Sequence, residues 1–166
     1  GTPDLIICLD SGCGNYDQLW MTTSLRGVVS GNLTVRILNE GVHSGSSSGI
    51  VPDSFRITRN LIARIENDDG IIRNHKILHS LKVNIPDERL KQAALTARIL
   101  GLAVYAEFPW VENAEPDNEV SSTELILRRT WSPALTVIGA DGFPPSLEQA
   151  GNVLRAYTTL RLSMRI

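Results

Sequence analysis

The sequence lacks the short motifs by which many self-contained hydrolases and nucleotide-binding proteins are recognised. It has no His-Glu-x-x-His pair for a zinc-binding helix and no Gly-x-x-x-x-Gly-Lys phosphate loop. A zinc site needs three or four converging ligands, and only three scattered histidines are present among the 166 residues. These absences argue against a complete small hydrolase.

Charge and apolar patterning exclude two further classes of partner. The formal net charge is −2, and the basic residues do not form a patch of the kind that binds nucleic acid. No apolar run approaches the roughly 20 residues that a membrane-spanning helix needs. No signal-peptide pattern is visible either. We therefore expect neither a nucleic-acid nor a membrane partner.

The cysteine content is also low. Cys8 and Cys13 are the only two, and a lone pair at this spacing is typical neither of a zinc ribbon nor of a disulfide framework. Two free thiols in a reducing compartment are the expected state, which indicates a cytoplasmic location.

What remains has the composition and length of an ordinary globular domain, with 42% hydrophobic and 20% charged residues. Pro52-Asp53-Ser54 is typical of a helix start, and a second helix is predicted from about Pro86 to Leu100. A loop is predicted over 109–122 and another in the serine-rich stretch 43–49. Strands are predicted at 4–9, 19–30, 33–38, 124–128, 134–138 and 160–166, with a hairpin turn at Ser30-Gly31-Asn32.

Strands in two groups with helices between them favour an α+β fold. We expect an antiparallel sheet of about four strands with two helices packed on one face. Because both ends of the chain are strongly patterned as strands, we also expect that it was cut from a longer protein.

Three positions could carry chemistry. Asp10 follows the apolar run 4–9 and precedes a glycine, so it either faces a cleft or merely starts a turn. His43 lies in the glycine-flanked loop Gly41-Val42-His43-Ser44-Gly45, where it either reaches a ligand or has no role. His75 and His79 would share a face if they lay on a helix and could then bind a metal, the alternative being a solvated surface pair.

Several stretches resemble, in the same order, the carnosinase, aminoacylase and glutamate-carboxypeptidase group of two-zinc peptidases. In that family a catalytic domain carries an inserted dimerisation, or lid, domain. The stretches that carry the resemblance are Thr22–Val28, Val42-His43-Ser44-Gly45, Gly49-Ile50-Val51-Pro52, Pro133–Gly139, Ala150-Gly151-Asn152-Val153-Leu154 and Leu160–Ile166. The segment from about 71 to 122 matches poorly.

The resemblance implies a role for four residues. Asp10 matches a zinc-ligating carboxylate, and would act so only in the full-length protein. His43 matches a lid histidine that reaches the active site of the partner subunit and stabilises the substrate oxyanion in trans. Asn152 matches a substrate-binding asparagine. Arg155 could clamp a substrate carboxylate, although family members have proline at this position.

At the level of the whole chain, the resemblance implies that residues 1–18 are the tail end of a catalytic domain and 19–166 a ferredoxin-like lid. The parent protein would be a homodimeric peptidase that uses two zinc ions to cleave dipeptides or N-acyl amino acids. The missing zinc ligands and the catalytic glutamate would lie outside this chain, so the fragment alone is expected to bind no zinc and to be inactive. The alternative is a stand-alone α+β module that binds a protein or a small ligand.

Overall fold

The computed structural model describes residues 1–10, 12–72, 84–114 and 119–166, and these have an α+β fold. The chain divides into two compact units. One, the helical unit, comprises Gly1–Arg26 and Asn84–Trp131, and the other, the sheet unit, comprises Gly27–Val83 and Ser132–Ile166. The α+β class and the antiparallel sheet expected from the sequence are therefore confirmed.

The sheet unit is built on three antiparallel strands in the order β1-β5-β3. Strand β1 spans Val28–Arg36, β3 spans Ala134–Asp141 and β5 spans Tyr157–Arg165. Two strands of two residues each, β2 (Val42–His43) and β4 (Val153–Leu154), form a separate small ladder. Within the described ranges the main sheet thus has three strands where about four were expected.

The predicted hairpin at Ser30-Gly31-Asn32 is wrong, because this stretch lies inside the continuous strand β1. Gly31 pairs with Leu162 of β5, and the Asn32 side-chain oxygen accepts a hydrogen bond of 3.1 Å from Arg161. Gly31 and Asn32 are typical of turns, but here they are extended because they pair with a strand that is distant in the sequence. Local sequence patterns cannot reveal such a partner. The strand predicted over 19–30 begins only at Val28.

Helix α2 (Ser54–Ile62) confirms the predicted start signal and packs on β1 and β5. The Asp53 side chain caps it by accepting a 2.6 Å hydrogen bond from the Arg56 backbone N–H. Ser54, Thr58 and Thr158 are at most 1% exposed. The Ser54 and Thr158 hydroxyls lie 2.8 Å apart, and Thr58 donates to the Ser54 carbonyl, so the helix meets the sheet through a fully paired polar cluster.

Ser54→Ala should lower the free energy of unfolding by about 1–3 kcal/mol, since it leaves the buried Thr158 hydroxyl without its partner. Replacing both hydroxyls, in Ser54→Ala/Thr158→Val, should recover most of that loss. Thr34→Ala is the control, because it removes one partner of an exposed threonine pair of the same 2.8 Å length. Urea unfolding of the four proteins measures the effect, and equal losses at Ser54 and Thr34 would contradict it.

The helical unit contains the second predicted helix, here α3 (Asp87–Leu100), with α4 (Ala103–Ala106) and α5 (Ser122–Thr130). α3 packs against α5. The core of this unit comprises Ala93, Ala97, Val104 and Ile126.

The strand predicted over 124–128 is wrong, since these residues belong to α5. Ser121 caps this helix by accepting a 3.2 Å hydrogen bond from the Glu124 N–H. Arg128 pairs with Glu124 one turn away, at 3.2 Å. Ser121 followed three residues later by a glutamate is a helix-start pattern, and it outweighs the strand-like apolar run at Leu125-Ile126-Leu127.

The opening apolar run is irregular, not the predicted buried strand. Leu5, Ile6, Ile7 and Leu9 are 74–94% exposed. No helix in the described parts of the chain is long and apolar enough to cross a membrane.

Candidate functional site

The small ladder β2-β4 brings two of the candidate residues together. His43 of β2 pairs with Val153 of β4, and the Ser44 backbone N–H donates a 2.9 Å hydrogen bond to the carbonyl of Asn152. The side chains of His43 and Asn152, two of the four residues named by the resemblance, are both exposed. Residues more than a hundred positions apart in the sequence thus belong to neighbouring backbone segments, and we call this part of the ladder the His43–Asn152 site.

The imidazole of His43 is held by its own loop. Its Nδ1 accepts a 3.1 Å hydrogen bond from the Gly45 backbone N–H. A ring nitrogen that accepts cannot carry a proton, so in the neutral ring the proton lies on Nε2. Nε2 is then a hydrogen-bond donor on an exposed side chain. This is the form that could donate to an oxygen of a bound molecule.

Gly45 is needed because the ring lies against it. A Cβ at position 45 would lie 2.9 Å from Cε1 of His43 and 3.1 Å from Nδ1. Any larger residue would therefore push the imidazole out of this position. The glycine that follows the His-Ser pair consequently fixes both the tautomer and the orientation of the histidine.

The serine-rich loop, predicted to be irregular, contains a single helical turn, α1 (Ser44–Ser47). The Ser46 and Ser47 hydroxyls donate to the His43 carbonyl at 3.1 and 2.8 Å. Residues 45–49 spell Gly-x-Ser-x-Gly, a pattern of serine hydrolases, so the expected absence of short hydrolase motifs is wrong for this one. Ser47, at the centre of this pattern, is buried, and its hydroxyl is hydrogen-bonded to the His43 carbonyl. The imidazole of His43 is hydrogen-bonded to the Gly45 N–H rather than to this serine, so the pattern does not form an activated nucleophile.

A pocket of 180 Å³ adjoins the His43–Asn152 site, between α1, the start of α2 and β4. It is lined by Ser44, Ser48, Gly49, Val51, Asp53, Arg56, Val153 and Leu154. Its lining residues carry hydroxyl, carboxylate, guanidinium and aliphatic groups. A pocket of this size and lining could receive a small polar side chain.

Arg155 follows β4 directly, and its half-buried side chain is already engaged. Its Nη1 donates a 3.0 Å hydrogen bond to the Gly142 carbonyl, and its guanidinium lies 5.4 Å from the centre of the Phe143 ring. Phe143 in turn meets Phe55 of α2 edge-on, at 5.7 Å between ring centres. The sequence analysis did not single out these aromatic residues, although Asp141-Gly142 is a turn signal that marks the place.

The connection from β3 to β4 contains a short 3₁₀ turn at Leu147–Gln149. There the Ser146 side chain and the Glu148 backbone N–H donate to the Glu148 carboxylate, which lowers the pKa of Glu148 below its usual range. The connection that ends at Asn152 thus carries one firmly ionised, exposed carboxylate.

Asp10 belongs to the helical unit and is exposed in an irregular segment. Within the described ranges, no three His, Cys, Asp or Glu side chains are grouped so that they could hold a metal ion. A single carboxylate does not make a zinc site, so these residues alone do not fit zinc. The predicted pair His75 and His79 lies outside the described residues.

Three larger peptidases of known structure have a similar fold. The M20 family metallo-carboxypeptidase Sso-CP2 from Sulfolobus solfataricus aligns over 86% of this chain, with 14% identity and a TM-score of 0.58. The di-peptidase Dug1p from Saccharomyces cerevisiae aligns over 85%, with 16% identity and a TM-score of 0.59. Human carnosine dipeptidase 1 aligns over 90%, with 16% identity and a TM-score of 0.61.

The alignments cover 35%, 28% and 31% of those three proteins, so the chain spans only about a third of their length. No protein-family model matches the sequence, and neither does any curated protein. At 14–16% identity the likeness shows the fold alone.

Proposed function

We propose that this chain is the dimerisation and substrate-capping domain of a zinc-dependent peptidase or amidohydrolase. The observation that carries the proposal is the His43–Asn152 site, where the small ladder brings together the backbone segments of two exposed residues that the resemblance named. In the proposal the domain has a ferredoxin-like arrangement and is inactive alone. The parent protein is cytoplasmic and hydrolyses dipeptides or N-acyl amino acids.

The fold likeness to three peptidases, two of them dipeptidases, supports this proposal. The exposed apolar run supports it as well. Leu5, Ile6, Ile7 and Leu9 are 74–94% exposed here, as would suit a strand whose neighbours lie in another domain. We assign residues 1–18 to the end of that catalytic domain and 19–166 to the lid.

His43 acts, in this proposal, on the active site of the partner subunit. Its Nε2–H donates a hydrogen bond to the substrate carbonyl oxygen as negative charge develops there during attack. The Gly45 N–H holds the ring in the donating tautomer before the substrate arrives, so no reorganisation is needed at that moment.

Asn152 would hold the substrate by its side-chain amide, which can both donate and accept. Its backbone carbonyl accepts a hydrogen bond from the Ser44 N–H, so the backbone at Asn152 is fixed relative to the loop that carries His43. The carboxylate-binding role of Arg155 stays a prediction, since one arm of its guanidinium already donates to Gly142.

Zinc enters only in the parent protein. Asp10 would be one ligand of a set whose other members lie outside this chain. Bound zinc would there supply a hydroxide nucleophile and polarise the scissile carbonyl. The part of the reaction assigned to this chain is orientation of the substrate and stabilisation of its oxygen.

The outer strands of the sheet unit favour a contact between two copies of this chain. β1 and β3 flank the central β5, so within the described residues each has one unpaired edge. Val29 on β1 is 57% exposed, and Ile138 at the bulge in β3 is 59% exposed. We propose a symmetric dimer formed by one of these edges together with a helix.

Light scattering on this chain should therefore show a dimer. Val29→Lys should convert it to a monomer if the contact is made along β1, and Ile138→Lys should do so if it is made along β3, because each places a charge at that edge. Leu147→Lys is the control, because Leu147 is 90% exposed and lies on neither edge. A monomer at high concentration would remove the claim that this domain dimerises on its own.

The second candidate is a stand-alone module that binds a small polar ligand. The pocket of 180 Å³ beside the His43–Asn152 site favours it. Isothermal titration of the isolated chain with dipeptides separates the two, because a lid that needs a catalytic domain to complete its site should bind them weakly or not at all.

A further inference from the structure

The ladder that joins His43 to the segment of Asn152 is too short to hold itself together. β2 and β4 have two residues each, and a two-stranded ladder of this length is not stable without support from other elements. Support from outside the ladder is present, since Leu154 is buried and the Ala156 carbonyl, shortly after β4, accepts from the backbone N–H groups of Ile37 and Leu38.

Arg155, which lies between Leu154 and Ala156, is placed to add side-chain contacts to that support. It follows Leu154, the last residue of β4, and its Nη1 donates to the carbonyl of Gly142, immediately after β3 ends. The residue that follows β4 in the sequence is thereby hydrogen-bonded to the end of β3, a strand of the main sheet. Gly142 is itself fixed, since its N–H donates to the Asp141 carboxylate, which also accepts from the Tyr157 hydroxyl.

The aromatic rings extend the connection to α2. The Arg155 guanidinium lies over the face of Phe143, a position in which a cation is attracted by the ring electrons. The edge-on contact of Phe143 with Phe55 ties the same group to the first turn of α2. The guanidinium therefore joins β4 to two elements that are already anchored in the sheet unit.

We propose that Arg155 is a positioning residue, which holds β4 in register with β2 and so sets the geometry between His43 and Asn152. The functional weight of this geometry rests on the function proposed above, but the coupling itself is a property of this chain. A lysine could keep the hydrogen bond to Gly142 but could not place a planar guanidinium over Phe143.

The experiment compares Arg155→Ala and Arg155→Lys with Arg161→Ala. Arg161 is a matched control, since it is an exposed arginine of the same unit with one 3.1 Å side-chain hydrogen bond, to Asn32. The reporter is the exchange rate of the Ser44 amide, which donates to Asn152, together with the ¹⁵N resonances of the His43 ring. The amides of β1 report general stability.

Arg155→Ala should accelerate exchange of the Ser44 amide about tenfold, the order expected when one supporting hydrogen bond is lost. It should also shift the His43 ring signals, while the β1 amides exchange as before. Arg155→Lys should restore part of the protection, and Arg161→Ala should change neither reporter.

Unchanged Ser44 exchange in Arg155→Ala would overturn the proposal, and so would an equal acceleration in β1. Neither result would bear on hydrolysis, which is tested separately through His43. Conversely, a catalytically silent His43 would leave the coupling through Arg155 intact. The two proposals therefore fail by different measurements.

Discussion

Replacing His43 by alanine should lower the turnover of the parent peptidase by about 10²–10³-fold, the usual loss when one donor to a developing oxyanion is removed. The physical reason is that Nε2–H, oriented in advance by the Gly45 amide, is the donor that the proposal assigns to the developing oxyanion. The binding constant for substrate should change much less, because the hydrogen bond strengthens only as charge develops. Steady-state kinetics measure both, and unchanged turnover would contradict the assignment.

Action in trans can be tested by mixing two inactive variants, His43→Ala and Asp10→Ala. If His43 serves the site of the other subunit, a mixed dimer contains one site in which both residues are native. Random reassociation then restores about a quarter of the native activity, because half of the dimers are mixed and each has one intact site. If His43 acts within its own subunit, every site in the mixture lacks one residue and no activity returns.

Gly142→Ala should lower the free energy of unfolding by about 2–4 kcal/mol, the largest effect on stability that we expect from a single substitution in the sheet unit. Two costs add at this position. Its φ of +90° disfavours any residue with a Cβ, and a Cβ built there would overlap the carbonyl oxygen of Tyr157. Because Tyr157 begins the central strand, that carbonyl cannot move away without disturbing the sheet.

Two other glycines separate the contributions. Gly49 has φ of +89° but no atom within 4 Å of a Cβ, so Gly49→Ala carries the backbone cost alone, about 1–2 kcal/mol. At Gly151 the nearest atom to a Cβ is 3.9 Å away and φ is not in the left-handed region, so Gly151→Ala should be nearly neutral. Thermal unfolding of the three variants should give this order, and a Gly142 variant as stable as the Gly49 variant would rule out the overlap.

Two helix starts could be predicted from the sequence because their cause is local, whereas the equally local start of α5 at Ser121 was missed in favour of the apolar run that follows it. Asp53 caps α2 through an amide only three residues away, and Pro86 with Gly101 delimits α3 within one continuous segment. The strand at the end of the chain could be predicted because its apolar and polar residues alternate, which is also a local signal. Thr158 and Leu160, which face α2, are buried, whereas Arg161 on the opposite face is exposed.

Two further errors occurred where residues outside the local segment decide the structure. Gly31 and Asn32 signal a turn in isolation, but pairing with β5 keeps them extended. The opening run 4–9 has the apolar pattern of a buried strand, yet nothing in the described chain covers it. At the candidate site, the His-Ser-Gly pattern identified His43, whereas the engagement of Arg155 by Gly142 and Phe143 depends on three separate segments and leaves no periodic signal.

The position of β5 has a consequence for how this protein is made. β5 is the last strand of the described residues, yet it is the centre of the sheet, and within those residues β1 and β3 each pair with no other strand. Thr34 and Thr159, which face each other across the β1–β5 pair, are 125 residues apart along the chain. On the ribosome β1 therefore emerges long before its partner exists, and its edges stay unpaired while α3 and α5, which are closer in sequence, can already pack together. Synthesis that stalls before residue 157 would leave two aggregation-prone strands without the one strand that joins them.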